Sequence, residues 1–343
     1  MKHQKIFSNI IFFAISGLLA ACTTKPDAAS PDATPTPAIN ADITSGVSVT
    51  PKPDTPPHTE VSSGSSAEES ALLDRLCEKA KQLYMVEPVA SENGLTILVH
   101  KQIPAKTPDE MSTVGEVVAQ YELPFEIAAH NAYNFYYDGE IFAVAEGARS
   151  YDNNEEGSKT LSILVSQNGG AFERIVVGET ETEYDCVYFS FGENGRIALL
   201  TDSAIRHHEV FLRPDSASEW RRLGTAESFD NRYDRLADQI SFFDETTGVV
   251  GTPFVDPWYT NFIRTEDAGQ TWDFAEKELL ENMPDSTVTE ECQYAVLNLH
   301  CEGNVGAALV RVGDLEPDGS FAYYLYTTVD KGKTWQIGEK VTL

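Results

Sequence analysis

The hydrophobic pattern of the chain is helical between residues 66 and 88. Ser66 and Glu69 form a capping box, which marks a helix N-terminus, and Pro88 ends the pattern. This spacing predicts one amphipathic helix. Its apolar positions recur every three or four residues, at Leu72, Leu73, Leu76, Ala80, Leu83 and Tyr84.

Apolar runs of strand length follow the helix. Residues 95–101 and 114–123 are predicted to be strands, and the loop between them carries Pro104 and Pro108. The predicted helix and these leading strands together occupy residues 67–129.

A short turn motif repeats within residues 130–343. Residues 265–272 and 328–335 share the spacing T-x-D-x-G-x-T-W, and degenerate copies lie at 213–220 and 166–172. In a hairpin turn, the Asp can accept backbone N–H groups, the Gly can adopt positive φ, and the Trp packs as an anchor. This structural role is assigned to Asp215, Trp220, Asp267, Gly269, Trp272, Asp330, Gly332 and Trp335.

The motif recurs about every 54 residues, which is the length of a propeller blade. Each repeat opens with a predicted strand followed by a tight turn. These strands lie at 134–137, 186–191, 239–243 and 293–299. Because the leading strands can supply a further unit, the sequence predicts an all-β fold. We expect a β-propeller of about five four-stranded blades, favoured over six, with one N-terminal amphipathic helix.

Antiparallel order within each repeat separates two faces of the predicted disc. The turns between first and second strands share one face with the repeated turn motifs. The loops between second and third strands share the opposite face, and loops on a rigid scaffold commonly carry binding residues. The candidate ligand-binding residues of this opposite face are Glu146, Arg206, His207, Asp256, Trp258 and Tyr259.

The first 22 residues have the organisation of an export signal. Lys2 and Lys5 precede an apolar run at 6–19 that is too short to span a bilayer as a helix. Residues 19–22, Leu-Ala-Ala-Cys, resemble the lipobox of bacterial lipoproteins, which implies that Cys22 is lipidated. The alternative is an ordinary cleavage site beside a chance cysteine.

A segment rich in Pro, Thr and Ser follows at 23–66 and predicts a disordered tether. The expected location is the extracytoplasmic face of the cell membrane, with the lipid anchor as the sole membrane contact.

Charge and motif content exclude several function classes. A net charge of −29 repels phosphate, so neither nucleic acid nor anionic lipid headgroups are expected partners. His207 and His208 are adjacent on a predicted strand and point to opposite faces, so no metal site is predicted there. No dinucleotide, metalloprotease or EF-hand motif is present, and no cofactor is expected.

The repeated turn motif resembles the Asp box, or BNR repeat, of bacterial sialidases and other β-propellers. Residues 138–149 also resemble the first blade of the sialidase family. That resemblance implies that Arg149 is an active-site arginine and that Asp152 is the candidate acid/base. The family's Arg-Ile-Pro is replaced here by Ala129-His130-Asn131, and no tyrosine matches the family's nucleophile. A sialic acid carboxylate would therefore lack one of its guanidinium partners.

Three functions remain open from the sequence. The first is a non-catalytic, sialidase-like propeller that binds a glycan or protein ligand. The second is an exo-alpha-sialidase or related glycoside hydrolase that uses Arg149 and Asp152, with Arg206 replacing the missing arginine. The third is a propeller lipoprotein of the photosystem-assembly type, which also carries such turns. The absence of a basic patch disfavours this third reading.

Four cysteines besides Cys22 leave the disulfide state open. If Cys292 and Cys301 bracket one straight strand, they stand about 30 Å apart and cannot pair. Pairing of Cys186 with one of them and free buried thiols are both compatible with the sequence, and Cys77 is the remaining cysteine.

Overall fold

The predicted helix forms at the capping box. In the computed structural model, helix α1 spans Ala67–Ala80; the Ser66 side chain accepts the Glu69 N–H, and the Glu69 carboxylate accepts the Ser66 N–H. The structure describes residues 66–90, 94–107, 110–124, 135–146, 159–181, 183–184, 186–202, 208–225, 239–251, 262–274, 294–313 and 320–343. All of them belong to one unit, Ser65–Leu343.

The prediction that the helix continues to Tyr84 was wrong. Tyr84 continues the helical spacing in the sequence, yet it opens strand β1 (Tyr84–Ala90), which pairs with β2 (Gly94–Ile103) along its whole length. Pro88 lies within β1, opposite Ile97. Pairing with β2 therefore overrides the helical period, and proline is compatible with extended backbone at the edge of a sheet.

Five antiparallel sheets follow one another along the chain and form a β-propeller, as predicted. Sheet A has three strands, and sheets B to E have four strands each. Sheet A contains β1, β2 and β3 (Thr113–Pro124). Sheet B contains β4 (Phe135–Tyr137), β5 (Ile141–Glu146), β6 (Thr160–Gln167) and β7 (Glu173–Glu179); sheet C contains β8 (Cys186–Phe191), β9 (Ile197–Asp202), β10 (Glu209–Arg213) and β11 (Arg221–Thr225); sheet D contains β12 (Gln239–Phe242), β13 (Gly248–Gly251), β14 (Phe262–Thr265) and β15 (Asp273–Phe274); and sheet E contains β16 (Tyr294–Glu302), β17 (Val305–Val312), β18 (Ala322–Thr328) and β19 (Gln336–Lys340).

The hydrophobic core is divided among the interfaces between consecutive sheets. Ile97 and Phe142 join sheets A and B, and Ile163 and Leu199 join sheets B and C. Further clusters join sheet C to sheet D and sheet D to sheet E. Each sheet is therefore stabilised mainly by its neighbours, as in other repeat architectures.

Hairpin turns define one face of sheets B to E. The turns at 138–140, 193–195, 244–247 and 303–304 lie beside the repeated turns of the same sheets, and we call this the turn face. In every one of these four sheets, a repeated turn donates a backbone N–H to the hairpin of its own sheet, at 2.8–3.0 Å. The donor and acceptor pairs are Asn168 with Glu140, Ser216 with Asn194, Ala268 with Thr246, and Lys331 with Asn304.

Helix α1 lies against the turn face of three sheets. Arg75 pairs with Glu193 of sheet C at 2.6 Å, and Lys79 pairs with Asp138 of sheet B at 3.2 Å. The Asn304 side chain of sheet E donates to Glu69 at 2.8 Å. The chain's own helix thus occupies part of this face.

Sheet E holds the C-terminal end of α1. A bulge in β16 presents the Asn298 amide, which donates to the carbonyl oxygens of Lys79 at 3.1 Å and Gln82 at 2.9 Å. Helix C-termini leave carbonyl groups without intrahelical donors, and Asn298 satisfies them from another element. Leu76 packs in the same place against Val305 and Leu325.

Candidate ligand-binding face

The ends of the strands opposite the turn face carry buried acids in sheets B and C. We call this end the loop face. Glu146 ends β5, Asp202 ends β9, and Glu209 begins β10. All three residues are less than a tenth exposed, so each carboxylate requires local charge or hydrogen-bond compensation.

Glu146 is compensated within sheet B. Its carboxylate accepts hydrogen bonds from Arg174 Nε at 2.7 Å and from Ser162 Oγ at 2.8 Å. Burial by itself would raise the pKa of Glu146, but these donors hold the pKa below its ordinary value. The Tyr184 hydroxyl also donates to the Glu146 carbonyl oxygen. Glu146 is therefore an ionised, positioned carboxylate at neutral pH.

We expect Glu146→Gln to lower the free energy of unfolding by about 1–2 kcal/mol at pH 7, because it removes the charge of a carboxylate that accepts two hydrogen bonds from Arg174 and one from Ser162. The folded-state pKa lies below the unfolded one, so the contribution is present above the unfolded pKa and is lost as pH falls through the folded pKa. Denaturant unfolding at pH 7 and at about pH 3 measures this difference. Exposed Glu173 on the same sheet is the control, as Glu173→Gln. An equal gap between Glu146→Gln and the parent chain at both pH values would contradict the assignment.

Glu209 is compensated in sheet C. Its carboxylate lies 2.9 Å from Arg222 Nε and accepts the Glu181 N–H at 2.9 Å. Glu181 belongs to the connection between sheets B and C. Its hydrogen bond to Glu209 therefore attaches that connection to sheet C. Arg222 also pairs with the Glu181 carboxylate.

Asp202 and His208 flank the loop between β9 and β10. Asp202 Oδ1 and His208 Nδ1 lie 3.5 Å apart, and both side chains are about 8% exposed. The two residues therefore lie at the two ends of the loop that carries the predicted ligand-binding residues Arg206 and His207.

Of the candidate ligand-binding and catalytic residues, Glu146 is the member that the structure describes. The others lie outside the described ranges: Arg149, Asp152, Arg206, His207, Asp256, Trp258 and Tyr259. Cys22 and the predicted tether also lie outside them. The described strands place the ends of these loops on the loop face in sheets B, C and D.

The two complete turn motifs have nearly the same hydrogen-bond geometry. Asp267 accepts the Thr271 N–H at 2.8 Å and the Thr271 hydroxyl at 2.7 Å. Asp330 accepts the same two groups of Thr334 at 3.0 and 2.7 Å. Gly269 and Gly332 have φ values of 82° and 74°, in the region that favours glycine.

The aromatic anchors of these turns differ in their polar contacts. The Trp272 indole donates to the Gly269 carbonyl oxygen at 3.0 Å. The Trp335 ring stacks on Phe262 with centroids 4.2 Å apart, and its buried N–H has no acceptor among the described residues. In the degenerate copy, Asp215 accepts the N–H groups of Ala217 and Ser218 at 2.8 Å, and Arg213 lies over the Trp220 ring.

The arginines that pair with Glu146 and Glu209 were not predicted from the sequence. Arg174 and Arg222 are each the second residue of the outermost strand of their sheets. An alignment of the repeats would have indicated them, because equivalent positions in two repeats carry arginine. Sequence order separates Arg174 from Glu146 by 28 residues, so a local pattern does not reveal the pair.

The described residues were searched for membrane-spanning helices, clusters of metal ligands and paired cysteines. None of the described helices has the length and apolar character that a bilayer crossing requires. No group of three or more potential metal ligands occurs within the described ranges. Cys77 and Cys301 carry free thiols, and burial raises the pKa of the Cys301 thiol. Cys292 lies outside the described residues.

The sheet order defines the class of this protein as a β-propeller. No protein-family model and no curated protein matches the chain. Similar solved structures include a GH74 xyloglucanase from Xanthomonas campestris, at 12% identity and a TM-score of 0.35, covering 74% of this chain and 47% of the xyloglucanase. The chain thus spans about half the length of that enzyme.

Two other similar structures cover most of their own chains. The fucose-specific lectin from Aleuria aurantia has 11% identity and a TM-score of 0.35, with 76% of this chain and 75% of the lectin covered. YCF48 from Cyanidioschyzon merolae has 12% identity and a TM-score of 0.31, with coverages of 76% and 85%. The assignment of the fold rests on the strand topology of this chain.

Proposed function

We propose that this protein is a lipid-anchored, extracytoplasmic β-propeller that binds a glycan on its loop face without hydrolysing it. The observation that carries the proposal is the position of α1. Arg75, Lys79 and Glu69 engage the turn face of sheets C, B and E, so α1 covers part of that face and we place the ligand on the opposite one. A sugar-stacking aromatic pair, Trp258 and Tyr259, belongs to a predicted loop of that face.

Glu146 of the loop face is a poor candidate for the proton donor of a glycosidase, and the candidate acid/base Asp152 lies outside the described residues. A glycosidase acid must hold a proton near neutral pH and therefore needs a raised pKa. The pKa of Glu146 is lowered by Arg174 and Ser162, so Glu146 does not fit the role of proton donor. Glu209 lies beside Arg222 and accepts a backbone N–H. These groups position the loops that would contact the ligand.

Glycan-array screening of the whole chain in detergent, followed by calorimetry, tests the proposal. We expect Trp258→Ala with Tyr259→Ala to weaken binding of the selected glycan by about tenfold or more, because stacking contacts are lost. Arg75→Ala on the turn face is the matched control and should leave the affinity unchanged. Binding that responds to Arg75→Ala but not to the loop variants, or the absence of glycan binding, would overturn the proposal.

A second candidate is an exo-sialidase, which the resemblance of residues 138–149 to the sialidase first blade favours. Hydrolysis of a fluorogenic sialoside by the whole chain, abolished by Arg149→Ala, would establish this activity and contradict a purely binding role. We expect no turnover above that of Arg149→Ala.

A further inference from the structure

The outer edge of sheet A differs from the outer edges of the other sheets. Strand β3 (Thr113–Pro124) contains 12 residues, or about 40 Å of extended chain. The outermost strands β7, β11, β15 and β19 contain 7, 5, 2 and 5 residues. Within the described ranges, β3 pairs with β2 alone, and sheet A is the sheet that has three strands rather than four.

Apolar side chains follow this edge. Val114, Val117 and Val118 of β3 are 48%, 49% and 42% exposed. Ile103, which pairs with Thr113, and Met111, which precedes β3, are also about half exposed. We call these five residues the β3 patch. Long edge strands with exposed apolar side chains invite pairing with another strand, and proteins ordinarily prevent it with short edges, bulges and charged residues. The pairing of β3 with β2 shifts register on both sides of His100, so the exposed valines lie beside a bulged part of the edge, and residues 119–124 form its regular part.

The charges on β3 indicate which kind of strand would pair there. Three of the other outermost strands carry a cation: Arg174 on β7, Arg221 and Arg222 on β11, and Lys340 on β19. The charged residues of β3 are Glu116 and Glu122, which are both exposed, and β3 carries no Lys or Arg. A net charge of −29 opposes approach of a second copy and favours a basic partner.

We propose that the β3 edge is a docking site for an extended segment of another protein, with β-branched residues alternating with Lys or Arg. The segment would add to sheet A as a fourth strand. Backbone N–H and C=O groups of β3 would supply the affinity, and the β3 patch with Glu116 and Glu122 would supply the selectivity. Recognition at this edge does not depend on glycan binding.

A labelled twelve-residue peptide of alternating lysine and valine is the probe, used with the whole chain in detergent. Fluorescence anisotropy should show that it binds at least about tenfold more tightly than a peptide of equal charge with serine in place of valine. Hydrogen exchange of the β3 amides should slow on binding, while exchange in β11 and β19 stays unchanged. Equal binding of the two peptides would show that overall charge alone attracts them, and this result would overturn the proposal.

Matched variants locate the site on β3. Val118→Lys should weaken binding of the valine peptide by about tenfold, because it adds a cation at an exposed position of this edge. Val176→Lys on β7 is the control, because Val176 is also an exposed edge valine, at 63% exposure, and should have no effect.

Two results would assign the edge to another occupant and contradict the proposal. Self-association of the unliganded chain that Val118→Lys abolishes, measured by sedimentation, would identify a second copy. If the β3 amides that point away from β2 already exchange slowly in a monomer without the peptide, another segment of this chain covers the edge.

Discussion

Replacing Arg196 by methionine should lower the free energy of unfolding by about 3–5 kcal/mol, because it leaves a buried carboxylate without its cation. Arg196 follows the hairpin of sheet C and donates to the Phe243 carbonyl oxygen in sheet D at 3.2 Å and to Glu302 in sheet E. The side chains of Arg196 and Glu302 are 10% and 12% exposed. One guanidinium therefore joins three sheets, and denaturant unfolding followed by circular dichroism measures its contribution.

The control for Arg196 lies on the same face. Arg75→Met removes the pair with Glu193, whose two side chains are about half exposed, and should change the stability by about 0–1 kcal/mol. Replacing Arg196 and Glu302 together by methionine should recover part of the loss, because no unpaired charge then remains buried. Equal effects of Arg196→Met and Arg75→Met would refute the role of Arg196 as a joint between sheets.

The second large effect is expected at Trp335. Trp335→Ala should destabilise the protein by about 3–5 kcal/mol, because it empties a buried volume between sheets D and E. The ring is 5% exposed and lies parallel to Phe262 within the cluster that joins these sheets. Thermal and denaturant unfolding of the whole chain measure the loss.

Phenylalanine substitutions separate packing from hydrogen bonding at the two anchors. Trp335→Phe keeps an aromatic ring and removes an indole N–H that has no acceptor among the described residues. Trp272→Phe removes the bond to the Gly269 carbonyl oxygen and should cost about 1 kcal/mol more than Trp335→Phe. If Trp335→Phe proved the more damaging of the two, the hydrogen bond of Trp272 would not account for the difference between the two anchors.

Much of the fold could be predicted because its signals are local. The capping box at Ser66 and Glu69 satisfies two backbone groups within one turn, so four residues suffice to find the helix start. The hairpins at 138–140 and 193–195 similarly follow from short turn sequences between apolar runs. Strand β1 escaped prediction because pairing with β2, rather than its own residues, decides its conformation.

The partners of the buried charged side chains could not be predicted from the sequence. Arg196 and Glu302 are 106 residues apart, and nothing in either segment indicates the other. The contacts of α1 with three sheets are likewise non-local, so the amphipathic pattern predicted a buried helical face but not what covers it. The candidate site was predicted as a set of loops, and the structure adds the arginines that hold the strand ends in place.

The attachment of α1 determines when folding can finish. Asn298 is synthesised 219 residues after Lys79, whose carbonyl oxygen it binds, and Leu76 packs against strands that appear equally late. A growing chain that has completed sheets A to D still exposes the apolar side of α1, because its docking surface does not yet exist. Docking of the helix therefore requires nearly the whole chain and carries the loop-closure cost of contacts distant in sequence. A truncation that removes sheet E would leave the apolar side of α1 exposed to misassembly and proteolysis.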